Sequence, residues 1–152
     1  MSGQFETTFT VDRPVDEVFA YLADGRNDPQ FSPRVQRIER VPEGPTAAGT
    51  VFRSIVKDAG MKSAREFRIT TLDAPTTVRW AEISKNSVTA REGGYDLEAL
   101  PDGRTRVRLF NVLEGHGIGK LLVGVAVAAQ RKDADAFGAR IKKAAETAIA
   151  PR

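Results

Sequence analysis

The chain opens with an alternation of apolar and polar residues that predicts a β-strand. In the segment Phe5–Val11, the apolar residues Phe5, Phe9 and Val11 fall on one face. This period of two is typical of a strand with one buried and one solvated side.

A short helix is predicted directly after this strand. Pro14 suits a first helical turn and Asp12 is the predicted cap, and the helix is expected to end near Asp24. Residues 26–34 contain two prolines, which limits them to a short helical turn around Phe31. The apolar positions at helical spacing in the first helix are Val15, Val18, Phe19 and Leu22.

Six further strands are predicted between residues 35 and 114. Apolar and β-branched runs alternate there with turn residues such as Pro-Glu-Gly-Pro and Pro-Asp-Gly. Because the spacing is short and no helical segment intervenes, an antiparallel meander is expected. The predicted strands are Val35–Val41, Thr50–Lys57, Ala64–Leu72, Val78–Ser84, Val88–Leu100 and Thr105–Leu113.

A long, alanine-rich helix is predicted from about Gly119 to Ala148. Its apolar stripe repeats at 4-3-4-3 spacing, and only Gln130 interrupts it. In the first half, Leu121, Leu122 and Val125 extend the apolar surface beyond the stripe, so protein, ligand or partner is expected to cover this part of the helix. The stripe comprises Val123, Val127, Gln130, Ala134, Phe137, Ile141, Ala144 and Ala148.

This order of elements predicts an α+β fold. One long helix must cover one face of a curved seven-stranded antiparallel sheet. No linker, repeat or low-complexity segment divides the 152 residues, so a single domain over 1–152 is expected.

The amino-acid composition excludes several kinds of metal and cysteine chemistry. Cysteine is absent and histidine occurs once, which excludes disulfides, thiolate catalysis and the common structural zinc sets within one chain. We therefore expect neither a metal nor a cofactor.

No apolar run is long enough for stable membrane insertion, and acidic residues early in the chain argue against a signal peptide, so a cytoplasmic location is expected. The net charge is +3, with seven basic and three acidic side chains in residues 120–152. This is too sparse a basic patch for a nucleic-acid binder.

Several local sequences together resemble the START/Bet v 1-like (SRPBCC) superfamily, and most closely its polyketide cyclase/dehydrase-like branch. The opening segment VDRPVDEVFAYLAD is the most specific of them. The resemblance extends over nearly the whole chain. The other segments that carry it are NDPQFSP, GTVF, VRW, GRTRV and the Ile-Lys pair in the last helix.

The resemblance implies a helix-grip fold, in which the sheet wraps around the C-terminal helix and two short helices follow the first strand. It also implies a deep, mostly apolar cavity that binds lipids, polyketides or other hydrophobic molecules. Some members of the superfamily are cyclases. Since the superfamily has no shared catalytic motif, the resemblance assigns no catalytic residue.

Candidate ligand-binding residues come from the inward faces of the predicted strands, from the apolar stripe of the last helix and from the aromatic residue of the short turn. Core packing is the competing explanation for each apolar one. For Glu82, Asn111 and Gln130, the alternatives are a polar atom of a ligand, one another, or trapped water. The candidates are Phe31, Phe52, Phe67, Trp80, Glu82, Tyr95, Leu109, Asn111, Val123, Val127 and Gln130.

Two residues are weak candidates for acid–base catalysis. Glu82 shares a strand face with Trp80, and burial there would favour its neutral form. His116 lies in a glycine-flanked loop, where a solvated histidine is the simpler interpretation.

Three functions remain open on the sequence. The first is a carrier or sensor of a hydrophobic small molecule, the second a cyclase or dehydratase using the same cavity, and the third an interaction module or homodimer. The third would use the apolar front of the last helix, around Leu121, Leu122 and Val125.

Overall fold

The computed structural model describes residues 2–58 and 60–151. The described chain contains seven strands, two α-helices and one short 3₁₀ helix. Strands are β1 (Ser2–Val11), β2 (Val35–Val41), β3 (Val51–Asp58), β4 (Met61–Asp73), β5 (Thr77–Glu82), β6 (Val88–Ala99) and β7 (Thr105–Gly115). Helices are α1 (Val15–Ala23), the 3₁₀ helix (Gly25–Gln30) and α2 (Gly119–Ala148).

All seven strands form one antiparallel sheet in the order β1-β7-β6-β5-β4-β3-β2. Successive hairpins build β2 to β7, and β1 then pairs along its whole length with β7, from Ser2 opposite Glu114 to Val11 opposite Thr105. The register shifts in β2, β4 and β6. Since such bulges bend and twist a strand, they help to curve the sheet.

Helix α2 lies on the concave face of this sheet, against β1, β6 and β7. The predicted bounds of this helix are confirmed, and Val123, Val127, Ala134 and Ile141 of the predicted stripe are buried. The last residue of the stripe, Ala148, is exposed, and Ala145 is buried instead. Gly138 allows a close approach to β1, because a Cβ atom there would lie 2.9 Å from the ring of Phe9. The α+β helix-grip architecture predicted from the sequence is therefore confirmed.

The core has two parts. The larger one joins α1, the sheet and the second half of α2, and includes Val11, Val18, Val107 and Ile141, none of them measurably exposed. The smaller one, beside the first half of α2, consists of Ala90, Leu113, Val123 and Val127 with their partly buried neighbours.

The predicted cap of α1 was wrong. Pro14 occupies the N-cap position with no side-chain cap hydrogen bond, whereas the backbone N–H of Asp12 donates to Oε2 of Glu146 at 2.8 Å. A hydrogen bond to α2, rather than a local capping bond, therefore fixes the backbone between β1 and α1.

Several strand ends also differ from the prediction. Strand β1 begins at Ser2 instead of Phe5, because its polar first residues still pair with β7. Strand β5 ends at Glu82 instead of Ser84, since the Ser84 hydroxyl turns back to donate to the Glu82 carboxylate at 2.6 Å.

Candidate functional site

A cavity of about 870 Å³ lies between the concave face of the sheet, the 3₁₀ helix and α2. Arg34, Asp58, Leu122 and Val125 line it while exposed to solvent, so the cavity opens between α2 and the ends of β2 and β3. Its deeper walls are mostly apolar and aromatic. They include Leu22, Phe31, Phe52, Ile69, Val78, Trp80, Tyr95 and Leu109.

Trp80, Tyr95 and Asn111 form one wall of the cavity. The ring of Trp80 meets that of Tyr95 edge to face, with centroids 5.2 Å apart, and its indole N–H donates to Oδ1 of Asn111 at 3.1 Å. This bond crosses over β6 at Gly93, where a Cβ atom would lie 2.0 Å from that oxygen and 2.3 Å from the indole nitrogen. Glycine is thus required at this position for the Trp80–Asn111 pair.

The Glu82 carboxylate lines the cavity but is satisfied within the protein. Its side chain is 1% exposed. Arg65 donates to it at 3.1 Å, and Ser84, Asn86 and the backbone N–H of Ala90 donate at 2.6, 3.0 and 2.9 Å. These bonds join β4, β5 and β6, so the Glu82 carboxylate has a structural role in linking the three strands. The sequence left open a bond from Glu82 to Asn111 or Gln130, whereas its partners are Arg65, Ser84, Asn86 and Ala90.

Asp28 is a polar lining residue that the sequence reasoning did not select. It lies in the 3₁₀ helix, whose first turn is capped by the Asp24 side chain accepting from the Arg26 N–H at 3.1 Å. Asn27 anchors the turn by donating to the carbonyl of Tyr21 at 2.8 Å. The only signal in the sequence was an acidic residue in a short proline-containing turn beside Phe31.

Aromatic packing holds the end of this turn. Phe31 meets Phe137 of α2 edge to face at 5.8 Å and Tyr21 at 6.4 Å. The Arg140 guanidinium donates to the Phe31 carbonyl at 3.1 Å. The backbone that carries Asp28 is therefore fixed against both α1 and α2.

The environment of Asp28 favours its neutral form. Burial, and then the negative charge of Asp24, raise the pKa of Asp28 from 3.8 to about 7. Burial likewise raises the pKa of the Tyr95 phenol well above its usual value of 10, with smaller contributions from Asp28 and Tyr21. Burial, followed by Asp28, raises the pKa of Tyr21 to about 12. The cavity thus brings a titratable carboxyl and a neutral phenol together.

The structure places nine of the eleven ligand-site candidates on the cavity wall: Phe31, Phe52, Phe67, Trp80, Glu82, Tyr95, Leu109, Asn111 and Gln130. Val123 and Val127 do not line it. They pack with Ala90 and Leu113 in the smaller core, because the face of α2 that carries them lies directly on the sheet.

His116 does not line the cavity. Its exposed ring contacts Thr89 Oγ1 through Nε2 at 2.8 Å, and its Nδ1 lies 3.9 Å from a Glu114 carboxylate oxygen. This loop position gives the imidazole no contact with the cavity wall.

Among the residues that the structure describes, no group of three or more His, Asp or Glu side chains is arranged to hold a metal ion. Within the same residues, no helix is both long and apolar enough to cross a membrane.

The sequence matches the family model described as polyketide cyclase / dehydrase and lipid transport over residues 2–146. The chain therefore belongs to this family, and the predicted membership of the SRPBCC superfamily is confirmed. A search of curated protein sequences gives no match.

Solved structures with the same fold include the ZhuI aromatase/cyclase from Streptomyces sp. R1128, with 21% identity, a TM-score of 0.76 and coverage of 99% of this chain and 98% of that one. TTHA0849 from Thermus thermophilus has 18% identity, a TM-score of 0.75 and coverage of 97% and 100%. Ara h 8.0201 has 23% identity, a TM-score of 0.67 and coverage of 97% and 99%. At these identities the likeness shows the fold alone.

Proposed function

We propose that this protein binds a hydrophobic small molecule, lipid-like or polyketide-like, in the cavity between the sheet and α2. The observation that carries this proposal is a cavity of about 870 Å³ with mainly apolar and aromatic deep walls. Small-molecule sites typically occupy about 300–1,000 Å³ and combine such walls with a few polar groups. The family to which the chain belongs supports the same class of ligand.

Our first interpretation is a carrier or sensor. Both catalytic candidates from the sequence are poorly suited to chemistry in the cavity, because the Glu82 carboxylate is held by four donors and His116 lies outside. A binding protein needs only the cavity and an opening. A cytoplasmic location and the exclusion of nucleic acid from the partners stay predictions of the sequence.

A cyclase-type reaction is the second candidate, because Asp28 and Tyr95 both line the cavity. In an aldol closure, the Asp28 carboxylate would take a proton from carbon next to one ligand carbonyl. The released electron pair would form a carbon–carbon bond to a second carbonyl, which Tyr95 would polarise. The new hydroxyl would then leave as water with a second α proton, so the step needs no cofactor.

The test of the second candidate is closure of a soluble 1,5-diketone to its cyclic enone, followed by absorbance. We expect the Asp28→Asn variant to bind the diketone and lose the closure. A wild-type protein that binds the diketone, as measured by equilibrium dialysis, without accelerating its closure would contradict the cyclase interpretation and leave the carrier interpretation intact.

Ligand binding itself is tested by native mass spectrometry of freshly purified protein incubated with oleate. The variant Ala126→Phe places a ring on the cavity wall, whereas Ala128→Phe makes the same change on the exposed side of the same helix. We expect one bound oleate in the wild type and Ala128→Phe, and loss of the adduct in Ala126→Phe. Equal occupancy in both variants would contradict binding in the cavity.

A further inference from the structure

The deep part of the cavity contains two polar side chains without a hydrogen-bond partner in the protein. Asp28 extends from the 3₁₀ helix and Tyr95 from the middle of the sheet, and both line the cavity. They are close enough for the charge of Asp28 to act on the phenol. Among residues 2–58 and 60–151, neither the Asp28 carboxyl nor the Tyr95 hydroxyl makes a side-chain hydrogen bond.

Two other large polar groups that line the cavity do have partners within the protein. The Trp80 indole N–H is bonded to Asn111, and the Glu82 carboxylate has four donors. Polar groups in protein interiors are almost always hydrogen-bonded, because an unpaired one loses its hydration without compensation. The partner of Asp28 and Tyr95 must therefore enter the cavity as water or as part of a ligand.

The protonation states decide which ligand group fits. Tyr95 stays a neutral O–H donor throughout the physiological range, since burial holds its pKa far above neutrality. With a pKa of about 7, Asp28 also carries its proton in a large fraction of molecules near neutral pH and in almost all of them below pH 6. Two O–H donors match the two lone pairs of one carbonyl oxygen.

We propose that Asp28 and Tyr95 together form a subsite that binds a carbonyl oxygen of the hydrophobic ligand. The proposal rests on the proposed function and deepens it, because it names the functional group that the ligand must carry. The Trp80 ring, edge to face with Tyr95, supplies a flat wall beside that oxygen. The ligand class is therefore an aromatic or conjugated ketone, held with its carbonyl toward the 3₁₀ helix.

The charged groups around Asp28 are already paired with one another. Asp24 lies 2.6 Å from Arg26 and 3.6 Å from Arg40 of β2. On α2, Asp133 is paired with Arg140 at 2.9 Å. The neighbouring titratable groups without a charge are two phenols. They are Tyr21 of α1, whose hydroxyl donates to Gln30 at 2.7 Å, and Tyr95 of β6. Ionisation of Asp28 above pH 7 therefore adds an uncompensated negative charge, which repels a carbonyl oxygen.

The test compares two probes of the same shape, 2-acetylnaphthalene and 2-isopropylnaphthalene, by equilibrium dialysis at pH 6 and pH 8. We expect the ketone to bind about tenfold more tightly than the hydrocarbon at pH 6, as for one or two net hydrogen bonds. The preference should shrink at pH 8. The affinity for the hydrocarbon should not change with pH.

Variants assign the effect to the two side chains. Tyr95→Phe and Asp28→Ala should each reduce the preference for the ketone at pH 6, while binding of the hydrocarbon confirms an intact cavity. Asp28→Asn should keep an N–H donor and remove the pH dependence. Asp73→Asn, the same change at an exposed residue of β4 that does not line the cavity, is the matched control and should behave as the wild type.

The outcomes distinguish failure of the carbonyl subsite from failure of the proposed binding function. If the hydrocarbon binds and the ketone preference is absent, or survives in both Tyr95→Phe and Asp28→Ala, the subsite is wrong and cavity binding stands. If the wild type binds neither probe at either pH, both the subsite and the proposed function fail.

Discussion

Replacing Asp28 by asparagine should stabilise the folded protein at alkaline pH, with little effect in acid. The pKa of Asp28 in the folded state is raised from 3.8 to about 7, so the folded state holds this proton more tightly than the unfolded state. The resulting contribution favours folding fully below about pH 4 and is lost as the pH rises through about 7. Asparagine has the same shape without the titration, and the advantage of the variant should grow across this window.

The size of the effect follows from the pKa difference. At 1.36 kcal/mol per pKa unit, a rise from 3.8 to about 7 corresponds to about 4 kcal/mol at most. Because Asp28 is partly exposed and water in the cavity screens its charge, we expect about 2 kcal/mol at pH 8.

The assay is urea unfolding of the wild type and Asp28→Asn from pH 4 to pH 8.5, followed by far-UV circular dichroism. Asp58→Asn is the control, because that carboxylate is 68% exposed and should leave the pH dependence unchanged. If the free energies of unfolding of wild type and Asp28→Asn run parallel over the whole range, the raised pKa of Asp28 is refuted.

Three further changes test other parts of the structure. Gly93→Ala should lower the affinity for naphthalene probes at least tenfold, since its Cβ atom would displace the Trp80–Asn111 bond; unchanged dialysis constants would contradict the close packing at β6. Glu82→Gln should reduce the free energy of unfolding by about 2–4 kcal/mol, because the amide N–H₂ group of glutamine would face N–H donors that now bond to a carboxylate. A urea midpoint equal to that of the wild type would show that these hydrogen bonds are dispensable. Leu121→Ser should abolish any concentration-dependent dimer seen by sedimentation velocity, since this side chain is 81% exposed on the apolar front of α2, and a dimer that survives the change must use another surface.

Much of the fold was predictable because its signals are local. The 4-3-4-3 stripe of α2 predicted its bounds from Gly119 to Ala148, and the bounds of β2 were also correct. The strand ends were less predictable, because pairing with a neighbour extends a strand into residues without an apolar pattern. Ser2 belongs to β1 only because it lies opposite Glu114 of β7.

The cavity wall was predictable where strand alternation decides it, as for Trp80, Tyr95 and Asn111. It was not predictable where the packing of α2 against the sheet decides it. Val123 and Val127 share the buried stripe of α2, but the helix rests directly on the sheet at that end, so they face the smaller core. Asp28 was missed because a turn has no periodicity, and its place on the cavity wall depends on the packing of the 3₁₀ helix against β2, which no local pattern shows.

The most direct test of cavity binding uses the single tryptophan of the chain. Its indole N–H lies on the cavity wall and gives one side-chain signal in a ¹H–¹⁵N spectrum, which can be followed during titration with 2-acetylnaphthalene. We expect saturable shifts of the Trp80 indole and of the amides of Tyr95 and Asn111, with none at Arg106 on the exposed face of the sheet. Shifts confined to the apolar front of α2 around Leu121, with Trp80 unmoved, would contradict binding in the cavity.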